Sequence, residues 1–194
     1  MKFLEERIKA DGRVYPGSIL KVDSFLNHQI DVGLMDQIGE TFYQKYKDRG
    51  ITRVMTIEAS GIAIACAAAR FFGVPMVFAK KTKSLNLGPD LYESTVHSYT
   101  KKTDYKVTIS KKYLTSEDHI LIVDDFLATG CALEGLLDLC HQAGATVEGI
   151  GICIEKVFQG GGKMLREKGY SVTSLAMIES MSDDGDIVFQ EGEN

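Results

Sequence analysis

The thirteen residues from Ile120 to Ala132 constrain the fold more than any other part of the chain. Ile120-Leu121-Ile122-Val123 has no polar side chain, as expected for a strand buried on both faces of a parallel sheet. Two acids, Asp124 and Asp125, follow at once, then the small-residue loop Asp124 to Gly130 and a helix predicted over 132–142. Open α/β sheets bind ligands at the carboxyl ends of their strands. A loop with free backbone N–H groups leading into a helix N-terminus suits a phosphate there, and Thr129 adds a hydroxyl. Carboxylates repel phosphate, so the two acids must face something else, either ribose hydroxyls or a hydrated cation. A sugar phosphate satisfies both halves. The competing reading is a plain strand–turn–helix with N-capping acids.

The rest of the chain supplies the partners such a strand needs. Helices are predicted over 2–11, with Leu4 and Ile8 on one face, and from Asp31 through Leu34, Met35, Ile38, Phe42 and Tyr46 to Gly50. A short strand is expected over 18–22. Further strands are expected over 51–57, 76–79, 147–154 and 172–177, with helices over 62–72 and 160–168. This alternation predicts a doubly wound α/β domain spanning 1–194, with a mostly parallel, five-stranded core sheet flanked by helices. The polar stretch 80–112 breaks the alternation and reads as a functional excursion with short strands near 92–98 and 105–109.

Lys plus Arg number 22 against 27 Asp plus Glu, a net charge of −5, which argues against a surface that coats nucleic acid or an anionic membrane. No apolar run has membrane-spanning length, and the charged N-terminus is not a signal peptide, so a cytoplasmic protein is expected. The four cysteines fit no zinc spacing. Cys66 and Cys153 lie in apolar runs and are expected in the core, and a buried position is expected for Cys131. The four histidines are scattered and form no metal set. Gln159-Gly160-Gly161-Gly162-Lys163 lacks the frame of a phosphate-binding P-loop and reads as a turn opening a helix. Asp183-Asp184-Gly185-Asp186 reads as a solvated acidic turn.

Segment 120–132 resembles the phosphoribosyl pyrophosphate signature of the type I phosphoribosyltransferases. The resemblance implies that fold, with a small hood at 12–30 and a flexible lid loop at about 81–104. It implies catalytic roles for Asp124 and Asp125 on the ribose hydroxyls, and for Ser98 and Tyr99, which resemble a lid Ser-Tyr pair. It implies that Ala128, Thr129, Gly130, Cys131 and Ala132 hold the 5-phosphate. Cys131 and Ala132 depart from the usual Gly and hydroxyl residue, which removes one side-chain contact. Glu58-Ala59-Ser60-Gly61 resembles the family's pyrophosphate loop, and Lys80-Lys81 its basic pair, so Ala59, Ser60, Lys80 and Lys81 are candidate pyrophosphate ligands. Magnesium is implied as a passenger on the pyrophosphate, without a dedicated protein site, and a homodimer is implied.

The base is set by the remaining residues. Ala128 stands where 6-oxopurine members place an acid, so no general base can be assigned there. Lys156 stands where those members place a lysine, whose three donors suit a carbonyl rather than an amino group. Tyr15 to Asp31 resembles the hood of the xanthine-using members, which implies a base pocket of Leu20, Asn27 and Lys156. Xanthine loses a proton readily, and Lys156 favours an anionic base, which agrees with Ala128. A core position is expected for Phe158. The rivals are a family member preferring guanine, hypoxanthine or adenine, and a regulator that binds phosphoribosyl pyrophosphate without consuming it.

Overall fold

The computed structural model describes residues 1–81, 90–98 and 103–190. Helix α1 (Lys2–Asp11) leads into a small hairpin, β1 (Arg13–Tyr15) and β2 (Ile19–Lys21), then a π-helical turn at Asp23–Asn27. Helix α2 (Val32–Tyr46) is started by Asp31, whose Oδ1 accepts from the Leu34 N–H at 3.1 Å. The core alternation follows with β3 (Arg53–Ile57), α3 (Gly61–Phe72) and β4 (Met76–Ala79). An antiparallel hairpin, β5 (Leu91–Ser98) and β6 (Thr103–Ser110), interrupts it. The alternation resumes with β7 (His119–Leu127), α4 (Cys131–Ala143), β8 (Thr146–Lys156), α5 (Gly161–Glu167), β9 (Val172–Met181) and β10 (Ile187–Phe189).

The main sheet runs β10-β9-β8-β7-β3-β4. The five expected strands are all parallel, and β10 adds a short antiparallel sixth at the edge. One apolar layer joins α1, the hood and α2 to one side of the sheet, and α4 and the hairpin cover the other. The chain order reverses between β3 and β7, which defines the crevice where such sheets bind ligands. These two strands pair only from Arg53–Ile120 to Met55–Ile122 and then part. On its other side β7 stays paired with β8 as far as Leu127–Glu155. The sequence expected β7 to stop at Val123. It continues through both acids because β8 itself runs on to Lys156 and supplies the ladder.

Two expected core residues lie elsewhere. Cys66 is exposed, because α3 buries Ile64, Ala65, Ala68 and Ala69 and turns the intervening position outward. Phe158 is 44% exposed, in the 3-10 turn Val157–Gln159 after β8. Cys153 is buried as expected, whereas Cys131 is only half-buried at the start of α4. None of the described helices is long and apolar enough to cross a membrane.

Candidate active site

The acids at the end of β7 sit almost out of water, at 5% and 7% exposure for Asp124 and Asp125. Their surroundings differ. Asp125 Oδ1 accepts from Ser60 Oγ at 3.0 Å, and its Oδ2 accepts from Asn27 Nδ2 at 2.9 Å. One carboxylate thus ties together the hood, the turn after β3 and the end of β7. Asp124 accepts from the Asp125 backbone N–H at 3.0 Å. Burial first, and then the Asp125 charge, push the Asp124 carboxyl well above the ordinary carboxylate range, with the Asp125 N–H and Lys81 pulling the other way.

The turn after β3 approaches this pair closely. A Cβ on Gly61 would lie 1.9 Å from Thr56 Oγ1 and 3.0 Å from Asp124 Oδ1, so only glycine lets α3 begin there. The Glu58–Ala59 peptide is cis. Glu58 Oε1 accepts from the Lys81 N–H at 2.7 Å, which brings the Ala59-Ser60 turn and the Lys80-Lys81 pair to the same edge. Lys80 also exchanges two backbone hydrogen bonds with Thr108 of the hairpin, both 2.9 Å.

The loop Ala128-Thr129-Gly130 leads to the N-terminus of α4, whose first N–H groups have no partner within the helix. Gly130 takes a left-handed conformation, φ 91°. The loop is braced from behind by α5: the Gly161 N–H donates to Ala128 O at 3.0 Å, and a Cβ on Gly161 would sit 2.3 Å from that oxygen. The glycine run is therefore a turn opening a helix, as expected. Thr129 Oγ1 lies 3.3 Å from Cys131 Sγ. A cavity of about 380 Å³ opens between this loop and the hairpin.

At the end of β8, Lys156 Nζ donates to Ser18 O in the turn between β1 and β2 at 2.8 Å and stands 5.5 Å from the centre of the Phe126 ring. Burial lowers its pKa. Leu20 on β2 is 6% exposed and packs in the apolar layer beside this turn. Of the two lid residues expected from sequence, Ser98 ends β5 and Tyr99 lies outside the described residues.

The structure thus collects Asn27, Ser60 and Asp125 in one cluster, Asp124 with Gly61 and Lys81 in a second, and Lys156 with the hood in a third. Sequence reasoning missed the support beneath them. Glu155, 1% exposed, accepts two hydrogen bonds from Arg166 on α5, at 2.9 and 2.8 Å, and one from Ser174. Burial alone would raise the Glu155 carboxyl, but the Arg166 and Ser174 hydrogen bonds outweigh it and hold the group below its usual range. The available signal was an acid directly after the apolar run Ile150–Ile154, which needs a partner if buried.

An acid pair, a glycine-containing loop at a helix N-terminus and the N-terminal hairpin segment meet at the switch point of a parallel sheet, an arrangement that suits an enzyme handling a phosphorylated sugar. The sequence matches the phosphoribosyl transferase domain family over residues 26–179, and the chain belongs to that family. Within it, the chain is 58% identical over 192 residues to xanthine phosphoribosyltransferase of Bifidobacterium adolescentis, covering 98% of this chain and 100% of the relative. It is 55% identical to the protein of the same name from Finegoldia magna, over 98% of this chain and 100% of the relative. Among solved structures, adenine phosphoribosyltransferase of Trypanosoma brucei superposes with a TM-score of 0.77 at 17% identity, over 97% of this chain and 86% of that one. The Rhodothermus marinus adenine enzyme gives 0.74 at 22% identity, over 91% and 99%. These structural neighbours establish the fold.

Proposed function

We propose that this chain is a purine-salvage enzyme that transfers 5-phosphoribose from phosphoribosyl pyrophosphate to N9 of xanthine. The products are xanthosine 5'-monophosphate and pyrophosphate. The observation that carries the reading is the convergence of the acid pair, the phosphate loop and the hood asparagine at one sheet end. The near full-length identity to xanthine phosphoribosyltransferases gives the base.

In this reading the bond from C1 of the ribose to the pyrophosphate oxygen breaks, the pyrophosphate keeps the electron pair, and the new bond forms to N9. The ribosyl centre passes through an oxocarbenium-like state, of the kind glycosidases stabilise. Asp124 and Asp125 accept hydrogen bonds from the ribose hydroxyls, and their charge favours the cationic centre. Ala128 to Ala132 bind the 5-phosphate with backbone donors and the Thr129 hydroxyl. Ala59, Ser60, Lys80 and Lys81 hold the leaving pyrophosphate. Lys156 donates to a base carbonyl, Asn27 offers both a donor and an acceptor, and Leu20 packs against the base. Xanthine enters as its anion, so no residue at 128 has to remove the N9 proton. Ser98 and Tyr99 close the hairpin over the centre, within a lid of about 81–104, and the hood spans 12–30 of one domain covering the chain.

Magnesium would travel on the pyrophosphate and would supply positive charge to the leaving group. Such a hard cation would be held chiefly by phosphate oxygens and water, and the carboxylates of Asp124 and Asp125 are oxygen donors of the matching type. A cytoplasmic homodimer completes the reading. The test is nucleotide formation from phosphoribosyl pyrophosphate and magnesium with xanthine, guanine, hypoxanthine and adenine in parallel. Preference for xanthine is expected; preference for another base would overturn the pocket assignment, and absence of turnover with all four would overturn the activity.

A further inference from the structure

The phosphate loop is short of side-chain donors. Thr129 supplies its one hydroxyl, which lies against Cys131 Sγ, and the remaining side chains, Ala128, Cys131 and Ala132, bring no strong donor. A dianionic phosphate can accept a further hydrogen bond beside those from the backbone N–H groups of the loop. The opposite wall of the same cavity carries Tyr105, on β6 of the hairpin.

The placement of this tyrosine is fixed by packing. Tyr105, Val107 and Ile109 alternate along β6 onto one face, and the two aliphatic side chains are buried against the core. The Tyr105 ring packs half-buried at the open end of that row, opposite Val96 in the β5 register. Val96 and Val107 in turn seat on α4 at Gly135, where a Cβ would come within 2.4 Å of the Val96 methyl. The hairpin stem is also stitched to the end of β4 by the Lys80–Thr108 bridge. Tyr105 thus lines the cavity from a partly buried position, which suits an amphipathic ring.

Its chemistry fits an anion. The phenolic oxygen has no hydrogen-bond partner among the described residues, and the Lys81 ammonium stands 5.8 Å from the ring centre. Burial, followed by the nearby Asp124 and Cys131, raises the phenol pKa, so the group stays a neutral donor.

We propose that Tyr105 is a further substrate-binding residue, whose phenol donates a hydrogen bond across the cavity to the 5-phosphate held by the loop 128–132. The proposal rests on the phosphoribosyl reading above and assigns the hairpin stem a binding role distinct from closure by its tip.

The test is Tyr105→Phe, which removes one oxygen and keeps the ring. KM for phosphoribosyl pyrophosphate and Kd for ribose 5-phosphate by calorimetry should each rise about tenfold, the lower end for a hydrogen bond to a charged group. The kcat, the KM for xanthine and the Kd for inorganic pyrophosphate should stay within about twofold. Weakened pyrophosphate binding with ribose 5-phosphate unchanged would overturn the assignment, because the phenol would then face the leaving group. A fall in kcat with both affinities intact would overturn it as well, placing Tyr105 in closure alone. A wild-type protein that binds neither ribose 5-phosphate nor phosphoribosyl pyrophosphate would instead remove the phosphoribosyl reading, and this proposal with it.

Discussion

Two aspartates flank the apolar run of β7, and they titrate in opposite directions. Asp118, just before the strand, is 6% exposed, and Asp124, near its end, is 5% exposed. Asp118 accepts from the Thr115 N–H at 2.8 Å, the Thr115 hydroxyl at 3.2 Å, Arg53 Nε at 3.1 Å and the Thr52 hydroxyl at 3.3 Å. Burial would raise its pKa, yet the Thr115 and Arg53 contacts win and hold it below the usual range. Asp124 has one backbone donor and a second carboxylate beside it, and is pushed up. At Asp118 the donors outweigh the effect of burial, whereas at Asp124 burial and the neighbouring charge outweigh the one donor. A satisfied acid is part of the scaffold, whereas an acid short of donors is suited to donors that arrive with a ligand, which in the proposed function are ribose hydroxyls.

The sharpest way to break this contrast is to neutralise the functional end. Asp124→Asn and Asp125→Asn should each lower kcat/KM for phosphoribosyl pyrophosphate by about a hundredfold or more, as loss of an electrostatic transition-state contact does. Asp124→Asn should leave the melting temperature equal or higher, because it removes a poorly solvated charge. An active Asp124→Asn enzyme in steady-state assays would end the comparison.

At the structural end, Asp118→Ala should cost about 2 kcal/mol in urea unfolding, since it strands the Arg53 guanidinium and the Thr115 N–H. Arg53 is partly exposed, which keeps the cost below that of a fully buried pair. The kcat at 25 °C should be unchanged, and a loss of activity without loss of stability would contradict the division.

The pH dependence sharpens the same point. Asp118, held low, contributes stability above the ordinary carboxylate range and loses it as pH falls through its folded pKa. Asp124, held high, costs stability above its folded pKa, and acidification relieves that cost. Relative to wild type, Asp124→Asn should therefore gain stability as pH rises toward neutral. Asp118→Asn should flatten the acid limb. Urea melts from about pH 2 to pH 8 would read both slopes.

Smaller effects test whether the rule extends to cations and to backbone-built sites. Lys156 is half-buried and hydrogen-bonds only a neutral carbonyl, so it too is under-served. Lys156→Gln should raise KM for xanthine about tenfold while KM for phosphoribosyl pyrophosphate stays constant. Cys131→Ser should change both by no more than about twofold, because the loop binds chiefly through backbone N–H groups that the exchange leaves in place.

Much of this was legible in the sequence because the informative elements are local. The run from Ile120 to Gly130 shows strand, acids and loop without reference to any other segment, and the Asp31 cap with the five apolar residues that follow at helical spacing delimits α2. What sequence could not give was contact across the chain. Asn27 and Asp125 lie 98 positions apart, and no periodicity links them. The length of β7 depends on how far β8 runs beside it, which is a property of the pair. Cys66 and Phe158 were misplaced because an Ala-rich helix and a strand end carry no clear polar face to mark the outward side.

The same helix has a practical consequence. Of the four thiols, Cys66 alone is exposed; burial pushes Cys140 up to about 12, and burial with the two acids pushes Cys153 well above its ordinary value. A thiol-reactive fluorophore at neutral pH should therefore mark α3 first. Cys66 stands five residues after Gly61, so the dye would sit roughly 7 Å along the helix axis from the turn after β3. The natural sequence already carries an optical reporter position for substrate arrival.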